Sequence, residues 1–113
     1  MTEIKDAVSI QFVKGENEKV HPEIRLFRDW DGKKGKAVYK FFNPKTITLD
    51  NFKLIQKMYL IDKEGELLTK KINLSISENH IKEVTSTYNW NSEKEFERFI
   101  RFSIRYSNSL TNN

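Results

Sequence analysis

The sequence predicts an α+β domain: a bent, sandwich-like antiparallel β-sheet closed by one long C-terminal helix. Three observations carry that class. Between residues 8 and 90, short runs alternate apolar with polar side chains, the two-residue period of half-buried strands. Turn-forming residues divide the runs at hairpin spacing: Gly15, Pro22, Gly32, Asn43 with Pro44, and Gly65. Beyond residue 92 the period lengthens to that of an amphipathic helix. With 113 residues and no repeat, low-complexity tract or linker, the chain reads as a single domain over 1–113. The ordered core is expected over about 8–107, with the ends "MTEIKD" and "SNSLTNN" flexible.

Each element follows from local chemistry. "VSIQFVK" sets Val8, Ile10 and Phe12 on one face and stops at Gly15. "GENEKVHPE" is a polar connection closed by Pro22. In "IRLFRDW" the alternation turns Ile24 and Leu26 inward and Arg25 to the other face. "DGKKG" is a turn, and "KAVYKFFN" is a strand apolar on both faces, stopped by Asn43 and Pro44. Residues 45–55 have no clean period and are expected to be irregular, with one helical turn at most. "QKMYLIDKEGELLTKKINLSI" divides into two strands about Asp62, Lys63, Glu64 and Gly65, the glycine suiting φ > 0. Ile72, Leu74 and Ile76 then alternate. "SENH" turns the chain into a last strand, "IKEVTSTYNW". Six or more strands with one helix to cover them must leave a strand edge open.

The helix begins near Ser92, because Ser92 with Glu95 three residues on forms a capping box. At 100° per residue, Phe96, Phe99, Ile100, Ser103 and Ile104 share the expected buried side, with Tyr106 at its margin. Lys94, Arg98, Arg101 and Arg105 take the opposite side, where a solvated face is the simplest reading and a partner surface the sharper one.

Composition narrows function mainly by exclusion. The net charge of +4 and mean hydropathy of −0.69 give mild attraction to acidic partners or anionic membranes, not the profile of a nucleic-acid specialist. No cysteine is present, which removes disulfides, thiolate catalysis and cysteine metal sites. No apolar run approaches a membrane span, and the N-terminus carries neither a signal core nor a transit region. His21 and His80 lie beside turns and lack a ligand partner at metal-site spacing, so they read as surface histidines. The acidic residues Asp62, Glu64 and Glu66 lack the calcium-loop pattern and read as a solvated hairpin. Glycine-rich phosphate loops and nucleophile elbows are absent. "KGKAVYKF" at 34–41 partly matches an RNA-recognition consensus, but Lys36 and Val38 stand where base-stacking aromatics are needed. No catalytic, cofactor or metal residue is therefore expected, and no small-molecule substrate. Arginine is the informative type: in a lysine-biased chain there are only five, Arg25, Arg28, Arg98, Arg101 and Arg105. Such forks make specific contacts, internal or intermolecular. Together with the basic turn Lys33 and Lys34, they are the candidate partner-binding residues.

The segments "SIQFVKG" (9–15), "PEIRLFR" (22–28), "GKKGKAVYKFFNP" (32–44), "MYLIDKEGELLT" (58–69) and "EFERFIRFSIRY" (95–106) resemble, in order, the photosystem II assembly proteins of the Psb28 type. Four positions depart from that pattern: Lys57 for a usual glycine, Ser103 and Ile104 for a Met-Glu pair, and Phe96 for a common tryptophan. The resemblance implies a cofactor-free, non-enzymatic auxiliary protein, peripheral on the cytosolic or stromal face of the thylakoid membrane. Its implied partners are photosystem II assembly intermediates, near inner-antenna and reaction-centre subunits. It would bind them transiently during assembly or repair. Lack of a transit region then points to a cyanobacterial or plastid-encoded protein, and the frequent lysine, isoleucine and asparagine, a bias that AT-rich coding produces, fits the plastid. The alternative from another class is a small basic RNA- or ribosome-associated module.

Overall fold

The computed structural model describes residues 8–111. Two four-stranded antiparallel sheets face each other, and a single helix closes one side. The first sheet holds β1 (Ser9–Val13), β2 (Glu16–Asn17), β5 (Met58–Asp62) and β6 (Gly65–Thr69) in the order β2-β1-β5-β6. The second holds β3 (Glu23–Arg28), β4 (Gly35–Phe42), β7 (Ile72–Ser77) and β8 (His80–Trp90) in the order β3-β4-β8-β7. Among the described residues neither sheet closes on itself, which leaves four edges. The α+β class with sandwiched sheets stands as the sequence indicated.

Alternation decides which side chains meet between the sheets. Tyr39 opposite Ser86 and Phe41 opposite Val84 put the odd residues of β4 inward, against Ile10, Phe12, Met58 and Leu60 of the first sheet; all of these are buried. Phe12 meets Phe41 edge to face with ring centroids 5.0 Å apart, a geometry worth about 1 kcal/mol beyond its buried area. The sheets are stitched where β6 leaves one for the other: Thr69 Oγ1 donates to the Thr87 carbonyl at 2.6 Å, and the Thr87 N–H donates to Lys71 at 3.0 Å. A second stitch is the buried Glu18 carboxylate, which accepts from the N–H groups of Val20, Lys45 and Thr46 and from Thr46 Oγ1 at 2.8–3.0 Å. It anchors the 43–51 connection, which is irregular as expected, with one short helical turn at Phe52–Leu54. Asn43 takes the left-handed conformation, φ 53°, before Pro44.

The helix, α1, spans Glu93–Thr111. Ser92 Oγ accepts from the Glu95 N–H at 3.2 Å, and the Glu95 carboxylate accepts from the Asn91 N–H at 3.0 Å. This is the expected box with its return bond shifted by one residue. Two readings need correction. The helix runs to Thr111, past the 107 limit expected for the core, so residues 107–111 of "SNSLTNN" are helical; "MTEIKD" lies outside the described residues. The buried face is also rotated. Phe99, Phe102 and Tyr106 are its buried residues, whereas Ile104 is exposed. Phe99 stacks on both Tyr88 and Trp90, at 5.4 and 5.1 Å, and Phe96 leans on Trp90 at 5.0 Å. The helix thus turns to the side that covers the aromatic end of β8, and Ile104 is the residue left outside.

Candidate docking surface

Rotation of α1 moves its arginines. Asp62, the last residue of β5, presents a side chain with 0% exposure. Arg98 grips it with two parallel bonds, Nη1 to Oδ2 at 2.8 Å and Nη2 to Oδ1 at 2.7 Å. Arg105 Nη1 adds a bond to Oδ2 at 2.9 Å and one to Glu64 at 2.5 Å. Arg101 binds Glu64 bidentately at 2.8 and 2.9 Å. The hairpin read as solvated is therefore the counter-charge of the helix, and Arg98 and Arg105 retain only 16% and 21% side-chain exposure. Arg101, about half exposed, stays closest to the expected solvent-facing stripe. Planar forks matched to carboxylates explain arginine here in a chain otherwise rich in lysine. Burial alone would raise the Asp62 carboxyl, but hydrogen bonds from Arg98, Arg105 and the Glu64 N–H outweigh it and hold it below its ordinary value. Bonds from Arg101 and Arg105 bring the Glu64 carboxyl down to about 2.

The remaining candidates lie on the β3–β4 hairpin. In register, Ile24 faces Tyr39 and Leu26 faces Ala37, so both point to the inner side, as alternation required. They are not covered there: Ile24 is 42% and Leu26 51% exposed, and Phe27 on the outer side is 48% exposed. β3 is a sheet edge; α1 meets it at its last residue, Arg28, and leaves Ile24 and Leu26 about half exposed. Arg25 lies on the outer side, lining a depression of about 280 Å³ with Phe27, Val38 and Lys40. Arg28 is held inward, its guanidinium 4.0 Å over the Phe96 ring and its Nη2 donating to the Gly32 carbonyl at 2.7 Å. Lys33 and Lys34 are exposed at the tip. The candidates thus form two groups: Arg25, Arg28, Lys33 and Lys34 on one hairpin, and Arg98, Arg101 and Arg105 engaged with Asp62 and Glu64.

Trp30 was missed. "IRLFRDW" reads as strand to its last residue, but β3 ends at Arg28 and Trp30 lies in the following turn. The signal was Asp29 and Asp31 around it with Gly32 beyond, a sequence that favours a turn over a continued strand. His21 and His80 are exposed. Among the described residues no three potential metal ligands of the His, Cys, Asp or Glu type converge, and no helix is long and apolar enough to cross a membrane.

The family described as "Psb28 protein" matches residues 10–111. The chain is 73% identical, over the full length of both, to the "Photosystem II reaction center Psb28 protein" of Prochlorococcus marinus strain NATL2A. It is 39% identical to the protein of the same name in Synechococcus sp. strain CC9902, across 96% of this chain and 83% of that one. It is 40% identical to the "Photosystem II assembly factor Psb28 protein" of Thermosynechococcus vestitus, across 88% of this chain and 85% of the other.

Proposed function

The chain belongs to the Psb28 family, and from that premise we propose that it is a non-enzymatic, photosystem II-associated auxiliary factor that docks on immature complexes through an added β-strand. It acts peripherally on the cytosolic or stromal thylakoid face, during assembly or repair, next to inner-antenna and reaction-centre subunits. The cyanobacterial relatives support that source over a plastid one, and family membership displaces the RNA- or ribosome-associated alternative.

The observation that carries the docking mode is the β3 edge. Six consecutive residues there are exposed, and three of them are large and apolar. A guest strand beside β3 would satisfy its free main-chain groups, lay side chains along Ile24 and Leu26 on one face and along Arg25 and Phe27 on the other, and extend both cores. The opposite edge of the same sheet, β7, is better filled, since Ile72 and Leu74 already pack against the core. Arg25 then flanks the guest and suits acidic or polar loops, while Lys33 and Lys34 lie beyond the strand at the hairpin tip. Arg98 and Arg105 contribute mainly by holding α1, because their charge is spent on Asp62 and Glu64.

The test places proline in turn at Ile24, Arg25, Leu26 and Phe27. Alternate positions point their N–H toward β4 or away from it, so half of the variants keep the urea midpoint of the parent. Those folded variants should lose co-migration with immature photosystem II on native gels. Retention of co-migration by every folded variant would eliminate strand addition at this edge.

A further inference from the structure

Trp30 is 99% exposed, the most exposed large apolar side chain among the described residues. An indole in water forgoes the burial its size rewards; outside a protein core, its favoured position is the polar–apolar boundary of a bilayer. The turn presenting it is well bonded. The Asp29 N–H donates to the Lys34 carbonyl at 2.9 Å, the Gly32 N–H to the Asp29 carbonyl at 2.8 Å, and the Lys33 N–H to Asp31 Oδ1 at 3.0 Å. Gly32 at φ 76° lets the chain reverse. The ring is therefore displayed by a formed turn rather than by a collapsed loop. Its surroundings are cationic: Arg28, Lys33, Lys34 and Lys36 against Asp29 and Asp31 leave +2 over residues 28–36. Half-exposed Leu26 and Phe27 lie behind it.

We propose that the β3–β4 tip is a contact site for an anionic lipid bilayer, with Trp30 entering the headgroup boundary and Lys33, Lys34 and Lys36 facing the lipid charge. A protein partner is the competing class. Protein hot spots are enclosed by a rim, and protein interfaces are depleted in lysine. A lone ring on a convex turn among lysines suits a soft, charged surface instead. One ring and two net charges bind weakly alone, so the tip serves as a second contact that raises the effective concentration of the β3 edge at the membrane. Lipid contact by the tip is tested on vesicles alone, whereas its role as a second contact rests on the strand-addition reading, which fails or stands on the native gel.

The experiment is co-sedimentation of the purified chain with phosphatidylcholine vesicles, with and without phosphatidylglycerol, read also by fluorescence. Trp90 is fully buried, so a blue shift with loss of acrylamide quenching reports Trp30. Phosphatidylglycerol vesicles should bind the chain and be released by salt. Trp30→Ala should weaken binding about tenfold, and Lys33→Gln or Lys34→Gln about fivefold each, at unchanged urea midpoints. Three results would overturn the proposal: no sedimentation of the wild type, equal binding by Trp30→Ala, or a Trp30 blue shift with detergent-solubilised photosystem fractions but not with vesicles. The last would assign the ring to a protein contact.

Discussion

Replacing Asp62 by asparagine tests the helix anchor with almost no change of shape. The buried carboxylate accepts two bonds from Arg98, one from Arg105 and one from the Glu64 N–H, all at 2.7–3.0 Å. Asparagine keeps one acceptor, removes the charge, and turns an NH₂ group toward a guanidinium. Breaking a buried pair from one side costs about 3–5 kcal/mol. Here the neighbouring guanidiniums reach solvent and Glu64 remains nearby, so the cost falls below that range, to about 2–3 kcal/mol for Asp62→Asn. For a domain of this size that corresponds to a Tm drop of about 10–20 °C. With a urea m-value on the order of 1–1.5 kcal/mol/M, the midpoint falls by about 2 M. The assay is equilibrium urea unfolding followed by Trp90, which is buried in the folded state. A change of less than about 0.5 kcal/mol, the range of an ordinary surface substitution, would refute the account of Asp62 as the buried anchor of α1.

Acid should weaken the same anchor. Asp62 and Glu64 both titrate below their ordinary values when folded, so their stabilisation is complete above the unfolded carboxyl range of about 4 and is lost as pH falls toward 2. A stability profile by urea titration should slope downward across that window, and the slope should flatten in an Asp62→Asn, Glu64→Gln double variant. Gly35→Ala should cost about 2–3 kcal/mol, because a Cβ there would overlap the Phe27 carbonyl oxygen and the Trp90 ring; thermal unfolding measures it. Glu18→Gln should lower stability by about 1–3 kcal/mol, since one carboxylate oxygen that accepts from the 45–46 backbone becomes a donor, and hydrogen exchange at Lys45 and Thr46 should accelerate.

Local chemistry was legible in the chain. Turn residues placed the hairpins, the two-residue period set which side chains of β1, β4 and β8 share a face, and Ser92 with Glu95 marked the helix start; each rests on interactions within a few residues. Even the inward direction of Ile24 and Leu26 was correct, because alternation is a property of one strand. Whether those side chains are covered was not, since cover depends on where α1 and the first sheet end. The buried face of the helix was set by the Tyr88 and Trp90 rings it must pack on. The arginines found their partners 36 to 43 residues away, a pairing no local pattern encodes. Sequence alone thus determined most elements, the likeness to a family and the arginines as special; the segment after Gly65, read as one strand, is two, β6 and β7, which lie in different sheets. Tertiary structure decided that Arg28, Arg98, Arg101 and Arg105 bind the chain itself, and that Trp30 and the apolar side chains of the β3 edge stay open, because burial and charge pairing are settled only when distant segments are brought together.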